Sequence, residues 1–185
     1  VRLIKIHPSI DLHDVADPAA RPFYAEAERL NMILDYHTGP HGTRLSLARP
    51  EKFDDIAWDF PKLGLVLEHL GGRAYYEQML AIIASHRRRK EAARSGVYGG
   101  LTSILDNRQP TQKLWYLGPE KVREAIEMIG ADYFIFGIDF PWNDMQETRR
   151  AIEILRGLDL PETDKTKIMG GNLTRILGLE SLGQP

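Results

Sequence analysis

The chain has 185 residues, and its 24 Lys and Arg against 26 Asp and Glu give a net charge of −2, which leaves no electrostatic basis for binding nucleic acid or an anionic membrane. It contains no cysteine, which excludes disulfides and thiolate metal sites and fits a cytoplasmic setting. No apolar run reaches the roughly 18 residues of a membrane span and no signal-peptide pattern opens the sequence, so residues 1–185 are expected to form one domain with its own core.

The first β-prone run is residues 2–6, and since Val1 is already followed by a strand pattern the sequence is expected to begin inside a domain. Four further runs follow, at 32–36, 63–68, 96–101 and 133–138, so that successive starts lie 30, 31, 33 and 37 residues apart. A (β/α)₈ barrel spends about 31 residues on each strand–helix unit. The fourth run is the weakest, because Gly99 and Gly100 disfavour an extended strand.

Helical signals lie between the runs. One helix is expected over 75–93. Another starts at Pro119, repeats Val122, Ala125, Ile126 and Ile129 at helical spacing, and stops at Gly130. Asn143 or Asp144 caps a third, whose apolar stripe is Met145, Thr148, Ile152 and Leu155. A closing pair over 165–169 and 173–177 is separated by Gly170-Gly171-Asn172. Alternating strands and helices predict a parallel α/β sheet, with a TIM (β/α) barrel favoured over a doubly wound sheet because no glycine-rich phosphate loop follows any strand.

Polar residues gather where strands end. The second run closes on Tyr36-His37-Thr38-Gly39, the third on Glu68-His69-Leu70-Gly71-Gly72, and the fifth on Gly137-Ile138-Asp139. In parallel α/β folds these C-terminal ends line the site, and imidazole with carboxylate suits zinc or manganese. Each residue alone has an ordinary reading, a rim histidine or a helix-capping aspartate. Three at the same end of regularly spaced strands point instead to a site. Lys5 and His7 share one face of the first strand and reach the same mouth if that face turns inward. His41 and His13 sit in polar loops and are expected to be exposed, with His41, four residues after His37, also placed to line the mouth; Trp58 and Trp115 read as packing residues, and His86-Arg87-Arg88-Arg89-Lys90 reads as a solvated charged face at a helix end.

Together the strings Lys5-Ile6-His7-Pro8, His37-Thr38-Gly39, His69-Leu70-Gly71-Gly72 and Gly137-Ile138-Asp139-Phe140-Pro141-Trp142 resemble the amidohydrolase superfamily, in the branch that also holds decarboxylases similar to aminocarboxymuconate-semialdehyde decarboxylase. The segment Gly170-Gly171-Asn172-Leu173-Thr174-Arg175-Ile176-Leu177 is similar to that branch's closing signature. The resemblance implies a divalent metal, zinc or manganese, with His37 and Asp139 as ligands. It implies that Asp139 also shuttles a proton and that His69 acts on the reacting group; Lys5 and His7, from the strand period, are expected beside the substrate. The family's first strand carries a His-x-His pair, and no His-x-His occurs here. The sequence is accordingly expected to be the C-terminal five units of a barrel, with the first three strands missing, and to hold metal weakly on its own.

The expected activity is metal-dependent hydrolysis of a small carboxylate, lactone or amide. Non-oxidative decarboxylation is the alternative, and a non-catalytic half-barrel binding module is a second. A small-molecule substrate and a homo-oligomer that covers the open strand edge are the expected partners.

Overall fold

A computed structural model describes residues 1–87, 95–106 and 113–179. Five strands, β1 (Leu3–Ile6), β2 (Ile33–His37), β3 (Gly64–Glu68), β4 (Gly96–Gly100) and β5 (Phe134–Ile135), form one sheet in sequence order. Every neighbouring pair is parallel, with Lys5 opposite Asp35, His37 opposite Glu68, and Glu68 opposite Gly100. This is the arrangement that the spacing of the apolar runs predicts.

Period-two alternation assigns the two faces. Leu34 and Tyr36, Leu65 and Leu67, Val97 and Phe134 point to one side and join the main core. Helices cover that side: α1 (Arg21–Arg29), α2 (Pro50–Asp59), α3 (Gly72–His86), α4 (Pro119–Ile129) and α5 (Met145–Arg156). Phe53, Ile56 and Ala57 on α2, Met79 and Ile83 on α3, and Val122, Ala125, Ile126 and Ile129 on α4 supply its contacts. On the other face Ile33, Val66, Tyr98 and Ile135 form a second, smaller cluster closed by Ile176. Farther along the same face the strands carry Lys5, Asp35, His37 and Glu68, so one face changes from apolar to polar toward the strand ends.

The helix starting at Pro119 ends at Gly130 as the sequence predicts. Asp144 caps α5 in a reciprocal pair with Glu147, each side chain bonding the other's backbone amide. The closing helices α6 (Glu162–Thr166) and α7 (Asn172–Leu177) are joined by a wide turn over Lys167–Gly171, in which only Gly170 leaves helical geometry. The 170–172 interruption is thus narrower than its two glycines suggest. Asn172 inside it is buried and donates to the carbonyls of Ala131 and Phe134, which anchors the break under β5.

Several expectations need correction. β5 is shorter than the 133–138 run, because Phe136 donates to Ile168 rather than continuing the ladder. Trp58 does not pack inside; it is 62% exposed. His86 is not on a solvated face: it is buried, with Nε2 2.7 Å from Asp54. Arg87 donates to the carbonyls of Met128 and Ile129 at the end of α4, where a cation meets the helix dipole. Residues 88–90, and the part of the 75–93 helix beyond 87, lie outside the described residues.

Candidate active site

β1 and β2 lie side by side and end in His7 and His37. Their rings stack at 3.9 Å between centroids with planes 14° apart. His41, four residues past His37 on the loop Gly39-Pro40-His41-Gly42, stands edge-on to both, at 4.6 Å and 5.0 Å. One ring nitrogen from each of the three histidines lies within 4.8 Å of the other two.

Continuing the alternation of β3 would turn His69 toward the helices, because Glu68 already points the other way. The backbone prevents this. His69 has φ +65°, and Leu70, Gly71 and Gly72 also have positive φ. For non-glycine residues such geometry is unusual and persists only where the surroundings enforce it. The turn is held from β2: the Thr38 hydroxyl donates to the Glu68 carbonyl and accepts from the Gly71 amide. His69 consequently reaches the histidine cluster, with Nδ1 2.8 Å from the Thr102 carbonyl and Nε2 3.1 Å from His37 Nδ1.

These two bonds determine the proton positions. A carbonyl only accepts, so His69 Nδ1 must be the donor. A neutral His69 then accepts at Nε2, and His37 must donate from Nδ1. His37 Nε2 is left with a bare lone pair, and that atom is buried with no hydrogen-bond partner among the described residues. Burial, with the neighbouring His69, His7 and His41 rings next in effect, lowers the His37 pKa to about 2. Burial and then His41 lower His7 to about 4. Both rings are neutral donors at physiological pH, the form that ligates metal.

Beneath the histidines lies a charged layer. Lys5 Nζ is 3.2 Å from Asp35 Oδ1. Burial first, and the nearby Glu68 second, raise the Asp35 pKa to about 7, against the opposing pull of Lys5. Glu68 is buried and its Oε2 has no partner. A Cβ on Gly100 would stand 2.4 Å from the Glu68 carboxyl carbon, so the glycine that weakens β4 as a strand is what gives this carboxylate its room.

Asp139 follows β5 at the same end of the sheet, also with positive φ (52°), and its charge acts on Asp35. It does not belong to the three-histidine group. The structure therefore brings His7, His37 and His69 together and sets Lys5 one layer below on Asp35, while Asp139 follows β5 near enough for its charge to act on Asp35. Sequence reasoning passed over Asp35 and Glu68, although a carboxylate inside an otherwise apolar strand was the available signal. His41, expected to be exposed and placed to line the mouth, is exposed and turned onto the cluster. Trp115, read as packing, is a wall of the site, with its ring 6.0 Å from His37 and 5.9 Å from His41.

The donor set suits a divalent transition ion. A buried imidazole nitrogen with no partner among the described residues, flanked by two further imidazoles, is poorly explained as packing alone.

Known proteins resemble this chain in family and in fold. The family model described as Amidohydrolase matches residues 1–179. An uncharacterized TIM-barrel protein from Bordetella bronchiseptica superposes with a TM-score of 0.75 at 21% identity, covering 96% of this chain and 57% of that one. A Pseudomonas putida protein named for 2-pyrone-4,6-dicarboxylic acid hydrolase gives 0.63 at 16% identity, covering 97% and 64%. A dihydroxybenzoic acid decarboxylase from Polaromonas sp. JS666, solved with bound manganese, gives 0.54 at 17% identity, covering 85% and 53%. The chain thus spans somewhat over half the length of these barrels, and its five-stranded parallel sheet is part of such a barrel. With a family model matched along nearly its whole length, the chain belongs to the amidohydrolase family.

Proposed function

We propose that this chain carries the C-terminal part of a metal-dependent hydrolase site acting on a small carboxylate, lactone or amide. The observation that carries the reading is the bare, buried Nε2 of His37, held in that tautomer by His69 and Thr102. His37 would hold the ion through Nε2, with Asp139 reaching it across the mouth. Zinc or manganese fits such donors, and one fold neighbour is a manganese-bound decarboxylase. A bound divalent ion supplies Lewis acidity toward a carbonyl and makes water more acidic.

The protein's own groups do the rest. Asp139 takes the proton that water loses as it attacks the carbonyl, and returns it to the leaving oxygen or nitrogen. His69 has both ring nitrogens engaged, so in this geometry it acts through His37 and not on the reacting group directly. Lys5, whose side chain is 42% exposed, supplies the cation that would meet a substrate carboxylate. Trp115 shields the rings from water on one side.

A second reading, non-oxidative decarboxylation, draws on Asp35. A carboxyl with its pKa near 7 is protonated in about half of the molecules at neutral pH, and that form is suited to protonate a carbanion.

The test is turnover with zinc or manganese on a panel of lactones and amides, alongside CO2 release from hydroxybenzoates. Asp139→Asn should lower lactone or amide hydrolysis by roughly 10²–10⁴-fold, the range of a lost general base. Hydrolysis indifferent to both Asp139→Asn and His37→Ala, or CO2 release alone, would remove the hydrolase reading.

A further inference from the structure

The family resemblance provides this chain with two metal ligands, His37 and Asp139, and its remaining pair is a His-x-His that these 185 residues lack. Two other imidazoles nevertheless stand against His37. We infer that His7 and His41 are ligands as well, so that His7, His37 and His41 form a three-imidazole site for a divalent transition ion within this chain.

Three observations converge on this assignment. The ligand atoms of the three rings lie within 4.8 Å of one another, although the residues come from the end of β1, from β2 and from a loop. A tetrahedral ion with Zn–N distances of about 2.0–2.1 Å needs its nitrogens roughly 3.3 Å apart and their lone pairs convergent, so His7 must turn out of its stack on His37 and His41 must move inward to complete the set. His41 has room to do so, being exposed and flanked by Pro40 and Gly42. Next, His37 Nε2 is buried and unpartnered, and the bonds from Thr102 through His69 to His37 leave it without a proton. A carbonyl-to-histidine chain of this kind also fixes the orientation of a ligating ring.

The lone pair of His7 is available too. Its Nδ1 receives only a 3.3 Å approach from the Ile10 amide, which already donates to the His7 carbonyl at 3.0 Å. Giving up the longer bond leaves that amide satisfied. His13, by contrast, lies outside the group. The resulting site has three protein nitrogens and faces solvent past His41; water or substrate takes the fourth position where Asp139 acts only as base, and a fifth where Asp139 also binds the ion. It also moves His7 from the substrate's side to the metal's.

The inference rests on the metal-dependent reading only in sharing His37, and its test needs no turnover. The chain is titrated with Co(II), whose visible d–d absorption reports coordination, and Zn(II) affinity follows by competition. The parent should bind one equivalent with a tetrahedral-type spectrum. His7→Ala and His41→Ala should each weaken binding by roughly tenfold or more and change the spectrum, as expected when one ligand is lost, whereas His13→Ala should do neither. Circular dichroism checks each fold; if His7→Ala does not fold, His7→Gln takes its place. Failure of the parent to bind Co(II) would overturn the assignment. So would parental affinity in either the His7 or the His41 variant, or an equal loss in His13→Ala. A chain that binds Co(II) through these three rings yet hydrolyses nothing would retire the hydrolase reading and leave this one standing, while hydrolysis with unaltered metal binding in both variants would do the reverse.

Discussion

At the scale of single residues, the site balances groups of opposite pH preference. His7 and His37 are neutral when folded, with pKa values lowered from 6.5 to about 4 and about 2. Between roughly pH 4 and 6.5 the unfolded chain binds protons at these rings that the folded chain refuses, so their contribution to stability is lost as pH falls through that window. Asp35 works the other way. Its carboxyl is raised from 3.8 to about 7, so the folded chain keeps a proton that the unfolded chain has released, and stability from this group declines as pH rises from about 4 toward 7. The two trends oppose each other over the same interval and flatten the profile. Asp35→Asn removes one of them. Its urea midpoint should rise at pH 8, where burying the ionised carboxylate is costly, and should drop more steeply than the parent's on acidification from about pH 6.5 to 4. Losing the ion pair to the part-exposed Lys5 should subtract little. Denaturant melts across pH, with metal removed by chelator, check both signs; parallel profiles for parent and variant would show that Asp35 is not held protonated.

At the scale of elements, β4 is where local propensity and tertiary demand disagree most. Two adjacent glycines weaken a strand, yet Gly96–Gly100 is a full member of the sheet. A Cβ at Gly99 would fall 2.5 Å from Leu70 Cδ2 on the helix side, and one at Gly100 would fall 2.4 Å from the Glu68 carboxyl on the site side. Both neighbours are buried, so neither can retreat without cost. Gly100→Ala should therefore destabilise the fold by about 1–3 kcal/mol, the usual cost of overpacking, read as a lower urea midpoint at unchanged slope. Removing the obstruction should rescue it: Glu68→Gly combined with Gly100→Ala should recover much of the loss, and a double variant no better than Gly100→Ala would place the strain elsewhere. Other parts of the fold were open to reading from sequence. The strand starts, the Pro119 helix and its Gly130 stop, and the Asp144 cap follow from periodicity and capping chemistry that act within a few residues. The stripe Phe53, Ile56 and Ala57 on α2 was equally legible in kind. The left-handed turn at His69 was not, because it arises from Thr38 bonding across two strands, and no spacing in the chain encodes that contact. The four-residue offset from His37 placed His41 near the mouth, but its contact with His7 was not legible, because a loop residue's partner depends on where β1 ends.

At the scale of the whole molecule, the polar end of the sheet stands on an apolar floor. Ile33, Val66, Tyr98 and Ile135 come from four strands, and Ile176 of α7 closes the cluster, fully buried, with Leu3, Leu173 and Leu177 around it. Arg2 reinforces the same junction by donating to the carbonyls of Leu177 and Gly178, which ties β1 to the end of α7. Floor and site are successive layers of the same sheet face, Ile33, Asp35 and His37 along β2, with the Lys5–Asp35 pair between them. The two layers should therefore fail independently. Ile176→Ala removes a side chain from a packed cavity and should cost about 2–5 kcal/mol of stability, the range for Ile-to-Ala core truncations. The same variant should bind Co(II) with parental affinity wherever it is folded, because the histidine rings are set by Thr38, Thr102 and His69 at the opposite ends of the strands. Chemical denaturation gives the first quantity and a Co(II) titration well below the unfolding midpoint gives the second. A loss of metal affinity matching the loss of stability would mean that α7 supports the site through the sheet, and that the sheet responds as one unit from floor to mouth.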